Sequence, residues 1–424
     1  MRTARRDFLA AGLASVGAAL LAGHRSAGAA AAARAVVIGA GFGGATAAKY
    51  IRNLSDGTID VVLVERERKF VSCPMSNLVI GGSLQLSDIT LSYDGLEKWG
   101  VRRVRNEAVS IDPAARRVEL GGGASLPYDR LILSPGIDFI WEQVPSLKSP
   151  EAQAKVPHAW KAGPQTIALR RQLEAMPDGG VFVLHIPKMP YRCAPAPYER
   201  ACQVASYFSA RKPRSKVIVL DANDDVQAEK ALFTAAWSER YEGRVEYRPN
   251  SELVDVDPKT LTARLDFDDV KADVLNVIPP QYAGAIARRL GMANANARFC
   301  QVDFLTYEST AQPNIHVLGD AIQTAPLMAK AAQMANRQAR VCAAAVVALL
   351  SGQEVNPSPE LDNACFSYIN SREAARLASV HRYDDASKTM VVVPGSIEVS
   401  SVATTREGVA AQAWARALWA DALS

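Results

Sequence analysis

The 424-residue sequence is poor in the residues that attach haem, bind metals or bind nucleic acids. Its six Cys include no Cys-x-x-Cys pair and no Cys-x-x-Cys-His, so a covalent haem site is absent from the sequence. Five His provide no metal-ligand cluster, and we expect no metal. No block of Lys and Arg follows the N-terminus, which argues against nucleic acid or anionic lipid as a partner. The length and the 49% hydrophobic content indicate a packed protein of two or three domains.

The sequence also has no apolar run of transmembrane length. The N-terminal run covers about 16 residues, short of the roughly 20 that span a bilayer, so we expect no integral membrane segment in the mature chain. This run follows Arg5-Arg6 and ends in small residues around Gly28, which is typical of a twin-arginine signal over 1–29. A Sec signal or a membrane anchor is the alternative. We therefore expect a periplasmic protein that is exported in the folded state, and at least one disulfide is plausible there.

A glycine-rich turn lies between a short apolar strand and a helix, as in a dinucleotide-binding βαβ unit. Gly39 turns the chain, Gly41 lets the backbone approach a pyrophosphate, and Gly44 lets the helix pack on the strand. Glu65 ends the second strand about 20 residues further on, where a carboxylate binds ribose hydroxyls. A tight loop without a ligand is the alternative.

Two later segments indicate which dinucleotide is bound. Asn314–Asp320 is similar to the second FAD motif of two-dinucleotide flavoproteins, in which the strand-end Asp hydrogen-bonds the ribityl chain. Ser134-Pro135-Gly136 resembles the intervening turn of the same fold. These matches occur in the correct order, so the sequence predicts FAD. An N-cap role for Asp320 is compatible with the same position.

A second βαβ unit begins near residue 165, with strands predicted at 180–186 and 216–220. The loop after the first of these strands, 187–197, contains prolines and bulky side chains but no glycine. A pyrophosphate could not approach such a backbone closely, so we expect no reaction with NAD(P)H. Cys193 lies on this loop and can face the flavin.

The elements together predict an α/β fold with two Rossmann-like dinucleotide-binding domains of the FAD/NAD(P)-linked disulfide reductase type. A small α+β C-terminal domain is expected to follow them. The predicted boundaries are 30–160 and 291–355 for the two parts of the FAD-binding domain, 161–290 for the second Rossmann-like domain, and 356–424 for a C-terminal interface domain.

Four segments resemble the flavoprotein subunit of flavocytochrome c sulfide dehydrogenases. They are Cys73 with Ser76-Asn77 and Gly81-Gly82, then Pro157–Gly163, Tyr191–Arg200 and Asn363–Ser367. The resemblance extends from about Ala35 to Tyr368 and leaves the extreme C-terminus unmatched. Cys202 departs from it, because a small residue other than cysteine is expected there.

The resemblance implies an enzyme that oxidises sulfide and passes the electrons to a separate c-type cytochrome subunit. It implies that FAD is attached through a thioether to Cys73, and that Cys193 and Cys365 form a redox disulfide over the flavin. Two buried, unpaired cysteines are the alternative for that pair.

The other titratable residues carry weaker signals. Glu199, six residues after Cys193, is either a proton acceptor near the disulfide or an ordinary carboxylate at a helix start. We expect structural roles for Cys202, Cys300 and Cys342 and for His158, His185, His316 and His381.

Two other functions fit part of the sequence. A sulfide:quinone oxidoreductase would share the fold and the redox cysteines, but it would need a membrane-facing amphipathic element at the C-terminus. The tail offers Trp414 and Trp419 as exposed candidates, yet it is short and has little positive charge. An exported flavin electron carrier without a substrate of its own is the other possibility.

Overall fold

The structure, a computed structural model, describes residues 32–424. The segment predicted as a signal, 1–29, lies outside the described residues. Within 32–424, no helix has both the length and the apolar character needed to cross a membrane.

The strands and helices of the first part of the chain build the first dinucleotide-binding unit. The strands are β1 (Arg34–Ile38), β2 (Asp60–Val64), β3 (Phe70–Val71), β4 (Thr90–Leu91), β5 (Arg102–Val104), β6 (Ala108–Asp112), β7 (Arg117–Leu120), β8 (Ser125–Pro127), β9 (Arg130–Leu133) and β10 (Ile137–Phe139). The helices are α1 (Phe42–Leu54), α2 (Ser76–Gly81), α3 (Pro150–Lys155) and α4 (Pro164–Ala175).

The middle of the chain builds the second unit. Its strands are β11 (Val181–Ile186), β12 (Lys216–Asp221), β13 (Val245–Arg248), β14 (Leu253–Asp257), β15 (Thr262–Leu265), β16 (Asp269–Lys271), β17 (Val274–Val277) and β18 (Gln281–Ala283). Its helices are α5 (Ala196–Arg211), α6 (Lys230–Ala235) and α7 (Ala285–Arg289).

The last part returns to the first unit and then forms a separate sheet. Its strands are β19 (Ile315–Val317), β20 (Glu360–Tyr368), β21 (Ala374–Asp384), β22 (Thr389–Val392) and β23 (Glu398–Val399). Its helices are α8 (Ala332–Leu350) and α9 (Thr405–Leu423).

The first sheet is parallel, with strand order β19-β9-β1-β2-β5. Its central strands β1, β2 and β9 are nearly continuous apolar runs, because helices and loops cover both faces of a parallel sheet. β19 pairs with β9 in register Ile315 to Leu131, so a strand from beyond residue 300 completes the sheet begun at Arg34. This pairing brings the turn after β19 next to the glycine-rich turn after β1.

The second sheet is also parallel, with order β13-β12-β11-β17. α5 connects β11 to β12 and is a predominantly buried helix. The loop with Cys193 lies between the carboxyl end of β11 and the first turn of α5. In open α/β sheets this edge is where ligands bind.

The C-terminal unit is an antiparallel sheet of β20 to β23 that packs with α9. Its helix buries Ala411, Ala415, Leu418 and Ala422, a stripe at helical spacing that lies against the protein. The α/β fold with two dinucleotide-binding units and a C-terminal α+β unit is therefore confirmed.

The predicted helix boundaries differ from those in the structure by a few residues. The apolar sequence from about Leu327 to Leu350 predicts a helix, but α8 begins at Ala332. Leu327 has φ +61°, which is incompatible with a right-handed helix, and 79% of its surface is exposed. Apolar composition alone could not reveal that turn.

Candidate active site

The glycine-rich turn has the geometry of a phosphate cradle. A Cβ on Gly39 would lie 2.4 Å from the carbonyl oxygen of Ser134, and one on Gly44 would lie 1.8 Å from that of Gly39. Gly39 also has φ +90°. Gly41, the N-cap of α1, has no atom within 4 Å of an added Cβ, so open space lies at the helix N-terminus. A pyrophosphate fits there, held by backbone N–H groups and the helix dipole.

Glu65 lies at the end of β2, beside this turn. One carboxylate oxygen accepts the N–H of Ala40 at 2.8 Å and the other accepts the N–H of Glu67 at 2.8 Å. A carboxylate offers about four acceptor sites, so capacity remains for ribose hydroxyls. The position and chemistry fit the adenosine end of FAD.

Asp320 and Gly136 lie where the other end of FAD is expected. Asp320 is in a single 3-10 turn after β19, and Gly136, with φ +64°, is in the turn after β9. Both line one cavity with Gly41. The Asp320 carboxylate lies 3.4 Å from a terminal nitrogen of Arg192. The residues present therefore fit an FAD that extends from the glycine turn into this cavity.

The three cysteines with predicted roles in the site line the same cavity. Its lining includes Cys73, Cys193 and Cys365, although the last is nearly 300 positions from the first. Glu199 lines it as well. Of the predicted site residues, Gly39 and Gly44 belong to the cradle and Glu65 lies beside it, and none of the three is on this wall.

Cys73 follows β3 and precedes α2. Its sulfur accepts a hydrogen bond from a terminal nitrogen of Arg192 at 3.1 Å. The same guanidinium donates to the carbonyl oxygen of Trp160. A buried cation thus holds the sulfur of the predicted attachment residue against the cavity wall.

Cys193 and Cys365 approach the cavity from different units. Cys193 has φ +54°, and its N–H donates to the carbonyl oxygen of Lys330 at 2.8 Å, which ties the loop to the segment before α8. Cys365 lies in β20, where Asn363 donates to its sulfur at 3.6 Å. Both are present as thiols in the structure. Their pairing as a disulfide therefore stays a prediction.

The electrostatics of the two thiols disfavour their charged forms. Burial, followed by the proximity of Cys365 and Glu199, raises the pKa of Cys193 well above its usual value. Burial also raises the pKa of Cys365 to about 11. A thiolate is costly in this environment, whereas a neutral disulfide carries no such penalty.

Glu199 is both a helix-start carboxylate and a cavity residue. It lies in the first turn of α5 and accepts hydrogen bonds from the Asn77 amide at 2.6 Å and the Tyr368 N–H at 3.0 Å. Arg200 donates to the other end of the Asn77 amide at 3.1 Å and so fixes its orientation. Burial outweighs these hydrogen bonds and raises the pKa of Glu199 to about 7. Such a carboxyl can exchange a proton near neutral pH.

Three residues of the site were missed by sequence reasoning. Arg192 is next to Cys193 in the chain, but no pattern shows that it reaches Cys73. Lys330 donates to the carbonyl oxygen of Asp320 at 3.2 Å, and burial lowers its pKa to about 8. Glu229 lies outside every motif, yet burial raises the pKa of its carboxyl to about 7.

The cysteines and histidines expected to be structural lie in the core. Cys202, Cys300 and Cys342 are fully buried, and burial raises their pKa values. Among the histidines, burial lowers the pKa of His158, His185, His316 and His381. None of these seven residues lines the cavity with Cys193.

The C-terminal tryptophans are not exposed as the quinone alternative requires. The Trp414 indole N–H donates to Gln333 at 2.6 Å, and its ring lies 5.5 Å from that of Phe366. The Trp419 indole N–H donates to Ser72 at 2.9 Å. Both side chains thus attach α9 to the rest of the protein.

A second, glycine-free cavity lies at the carboxyl end of the second sheet. Pro187, Lys188 and Met189 from the loop after β11 contribute to its wall. The buried His185 of β11 also lines it. This is the edge where a nicotinamide nucleotide would bind, but its side chains leave no glycine cradle.

Three family models match successive parts of the chain. The pyridine nucleotide-disulphide oxidoreductase model matches 33–161. The central domain of the flavocytochrome c sulfide dehydrogenase flavoprotein chain matches 166–279, and the flavin-binding domain of flavocytochrome c sulphide dehydrogenase matches 357–423. A flavoprotein chain of sulfide dehydrogenase from Chlorobaculum thiosulfatiphilum is 59% identical over 46 residues, which are 11% of this chain and 94% of that one. This chain belongs to the flavoprotein oxidoreductases and is similar, over 166–279 and 357–423, to sulfide dehydrogenase flavoprotein chains.

More distant relatives extend the similarity. The mitochondrial sulfide:quinone oxidoreductase of Dictyostelium discoideum is 24% identical over 297 residues, which cover 67% of this chain and 64% of that protein. The sulfide:quinone oxidoreductase structure from Aquifex aeolicus has a TM-score of 0.76 at 18% identity and covers 92% of both chains. At that identity the structural match shows the fold alone. The flavin-binding family model and the flavoprotein relatives support FAD as the cofactor of this chain.

Proposed function

We propose that this flavoprotein oxidises sulfide through a Cys193–Cys365 disulfide and bound FAD, and passes the electrons to a separate c-type cytochrome. The observation that carries the proposal is the convergence of Cys73, Cys193, Cys365 and Glu199 on one cavity next to the dinucleotide cradle. The matches to the flavocytochrome c sulfide dehydrogenase flavoprotein support the cytochrome as electron acceptor.

The site first prepares the substrate. Dihydrogen sulfide is neutral and can enter a partly apolar cavity, and the Glu199 carboxylate, with a pKa near 7, takes its proton to give hydrosulfide. Hydrosulfide then attacks the sulfur of Cys365. A new sulfur–sulfur bond forms, the Cys193–Cys365 bond breaks, and its electron pair leaves on Cys193 as a thiolate.

We assign electron transfer out of the site to Cys193. Its backbone is hydrogen-bonded to Lys330, and the Lys330 ammonium is hydrogen-bonded to the Asp320 segment. FAD, when bound, accepts an electron pair and can release the electrons singly, as a cytochrome requires. The outer sulfur of the persulfide then leaves at the zero-valent level: its bonds to Cys365 and to hydrogen break, the proton is released, two electrons pass to the acceptor, and the Cys193–Cys365 bond forms again.

Arg192 and Cys73 would hold the flavin in place. We propose a thioether from Cys73, because its sulfur lies on the cavity wall and a buried guanidinium contacts it at 3.1 Å. Export through a twin-arginine signal to the periplasm is part of the same proposal, since such export moves folded proteins and suits a cofactor inserted in the cytoplasm.

A quinone acceptor is the second candidate, because sulfide:quinone oxidoreductases are among the relatives. The inward packing of Trp414 and Trp419 argues against it. Acceptor assays on the purified protein distinguish the two: we expect sulfide-dependent reduction of a c-type cytochrome in detergent-free buffer. If the protein rapidly reduced a quinone in detergent and did not reduce the cytochrome, the acceptor would be a quinone instead.

A further inference from the structure

Each redox cysteine has its own buried carboxyl. Among the carboxyls, Glu199 contributes most to the raised pKa of Cys193. Glu229 contributes more than Glu199 to the raised pKa of Cys365. The proposed reaction gives Glu199 a role and leaves Glu229 without one. We infer that Glu229 takes the proton of the persulfide that forms on Cys365 and thereby keeps the captured sulfur on that residue. This inference rests on the proposed function.

A hydrogen bond ties the Glu229 carboxyl to β20, the strand that contains Cys365. The Ser367 hydroxyl donates to one carboxylate oxygen of Glu229. Ser367 lies two residues after Cys365, and alternate residues of a strand face the same side. Both Cys365 and Ser367 line the cavity. The carboxyl is therefore tied to the residue two strand positions after Cys365, on the same side of β20.

The second carboxylate oxygen is available for a proton. Among the described residues, Oε1 of Glu229 is buried and has no hydrogen-bond partner. An unpartnered buried polar atom is costly and calls for a function. Glu229 also has φ +51°, an unusual conformation for a residue with a side chain and one that concentrates at functional sites. The fold thus keeps an unpartnered proton acceptor near the strand of Cys365, although this lowers its stability.

The charged groups around Glu229 set its proton affinity. Burial and the nearby Glu199 on α5 raise its pKa, while the Ser367 hydrogen bond lowers it, and the result is about 7. Cys365 on β20 is the thiol it faces, with a pKa of about 11. The outer S–H of a persulfide is a stronger acid than a thiol, so proton transfer to Glu229 is far less uphill from the persulfide than from the resting thiol.

The proton transfer has a definite chemical consequence. The outer S–H bond breaks, its electron pair stays on sulfur and the proton moves to the Glu229 carboxylate, so no oxidant is needed. If the Cys193 thiolate then attacks Cys365 again, it must expel a sulfide dianion instead of hydrosulfide. A more basic leaving group departs more slowly, so reversal is suppressed.

Persulfide retention tests this inference without an activity assay. The anaerobic holoenzyme is mixed with one equivalent of sulfide, free sulfide is removed, and the extra sulfur on the Cys365 peptide is followed by alkylation and mass spectrometry at different pH values. In the wild type we expect the extra sulfur to be lost from Cys365 more slowly as pH rises through about 7. Glu229→Gln should remove this pH step and speed the loss by about 10²-fold, the lower end for acid–base effects.

Two further variants complete the experiment. Glu239→Gln, an exposed glutamate shortly after α6, should behave as wild type. Ser367→Ala keeps the carboxyl but removes the hydrogen bond that lowers the pKa of Glu229, so the step should move to higher pH, which a purely structural role would not cause. If the pH step and the rate of persulfide loss were unchanged in both Glu229→Gln and Ser367→Ala, this inference would be wrong and the proposed function would still stand. Failure of the wild type to form any persulfide would overturn the proposed function as well.

Discussion

Arg192 connects the two cysteine segments of the site, because its guanidinium lies 3.1 Å from the sulfur of Cys73 and Cys193 is the next residue in the chain. The second guanidinium arm lies 3.4 Å from Asp320. One buried cation therefore joins the predicted flavin attachment point, the redox loop and the carboxylate expected to bind the ribityl chain. Displacement of any of these three would disturb the other two.

The first prediction concerns flavin attachment. Cys73→Ser should retain FAD in the folded protein, because the glycine cradle is untouched, but release it on acid precipitation. The measurement is the distribution of flavin between pellet and supernatant. Cys300→Ser, at a buried position outside the cavity, should keep the flavin in the pellet. Flavin in the Cys73→Ser pellet would exclude the thioether.

The second prediction concerns nicotinamide nucleotides. The loop after β11 carries no glycine, and Pro187, Lys188 and Met189 form the wall where a pyrophosphate would lie. NADH and NADPH at about 1 mM, the upper end of usual KM values, should leave the flavin oxidised. Flavin absorbance under anaerobic conditions is the readout, and rapid bleaching by either nucleotide would contradict the account.

The third prediction concerns the disulfide. Peptide mapping of the oxidised protein without reduction should recover Cys193 linked to Cys365. Replacement of either by Ser should abolish flavin reduction by sulfide and leave the flavin bound. Cys342→Ser, a fully buried control in α8, should lose stability by about 0.5 to 3 kcal/mol and keep the reaction. A Cys193–Cys202 link or a free Cys365 thiol would exclude the pairing.

The fourth prediction concerns pH. The pKa of Glu199 is raised to about 7, so its basic form predominates only above that pH. Flavin reduction by sulfide should therefore accelerate as pH rises through about 7, and Glu199→Gln should be slower by about 10² to 10⁴-fold at pH 8. Because dihydrogen sulfide itself ionises to hydrosulfide in this range, the ratio of wild-type to variant rates is the quantity to measure. A constant ratio across the range would argue against a base role.

The raised pKa of Glu199 also predicts how the stability of the fold depends on pH. A folded-state pKa raised above the unfolded value stabilises the fold at low pH, and this contribution is lost as pH rises through about 7. Chemical denaturation should show that the wild type loses more stability between pH 5 and pH 8 than Glu199→Gln does. Equal losses of stability in the two proteins would indicate that folding does not raise the pKa of Glu199.

The fold could be predicted from sequence because its signals are local. The apolar strand before Gly39, the spacing of Gly39, Gly41 and Gly44, and the acidic end of β2 each follow from short-range steric and hydrogen-bonding requirements. The long helix start at Ala332 was missed because the left-handed turn at Leu327 has no compositional signal.

The site could be predicted only in part, because its contacts join distant segments. Cys73, Cys193 and Cys365 were selected through motif resemblance, and the structure brings them to one cavity. Arg192 and Glu229 act through contacts across 119 and 138 positions, to Cys73 and Ser367. Such pairs depend on how the three units pack, which periodicity and turn chemistry do not encode.

The most direct test of the central claim is an anaerobic titration of the purified holoprotein with sulfide, followed by flavin absorbance. The account predicts that about one equivalent of sulfide bleaches the oxidised flavin, and that an added c-type cytochrome restores its absorbance as the cytochrome becomes reduced. A flavin that stays oxidised in excess sulfide, yet is reduced by another protein, would contradict the account and indicate an electron carrier without a substrate of its own.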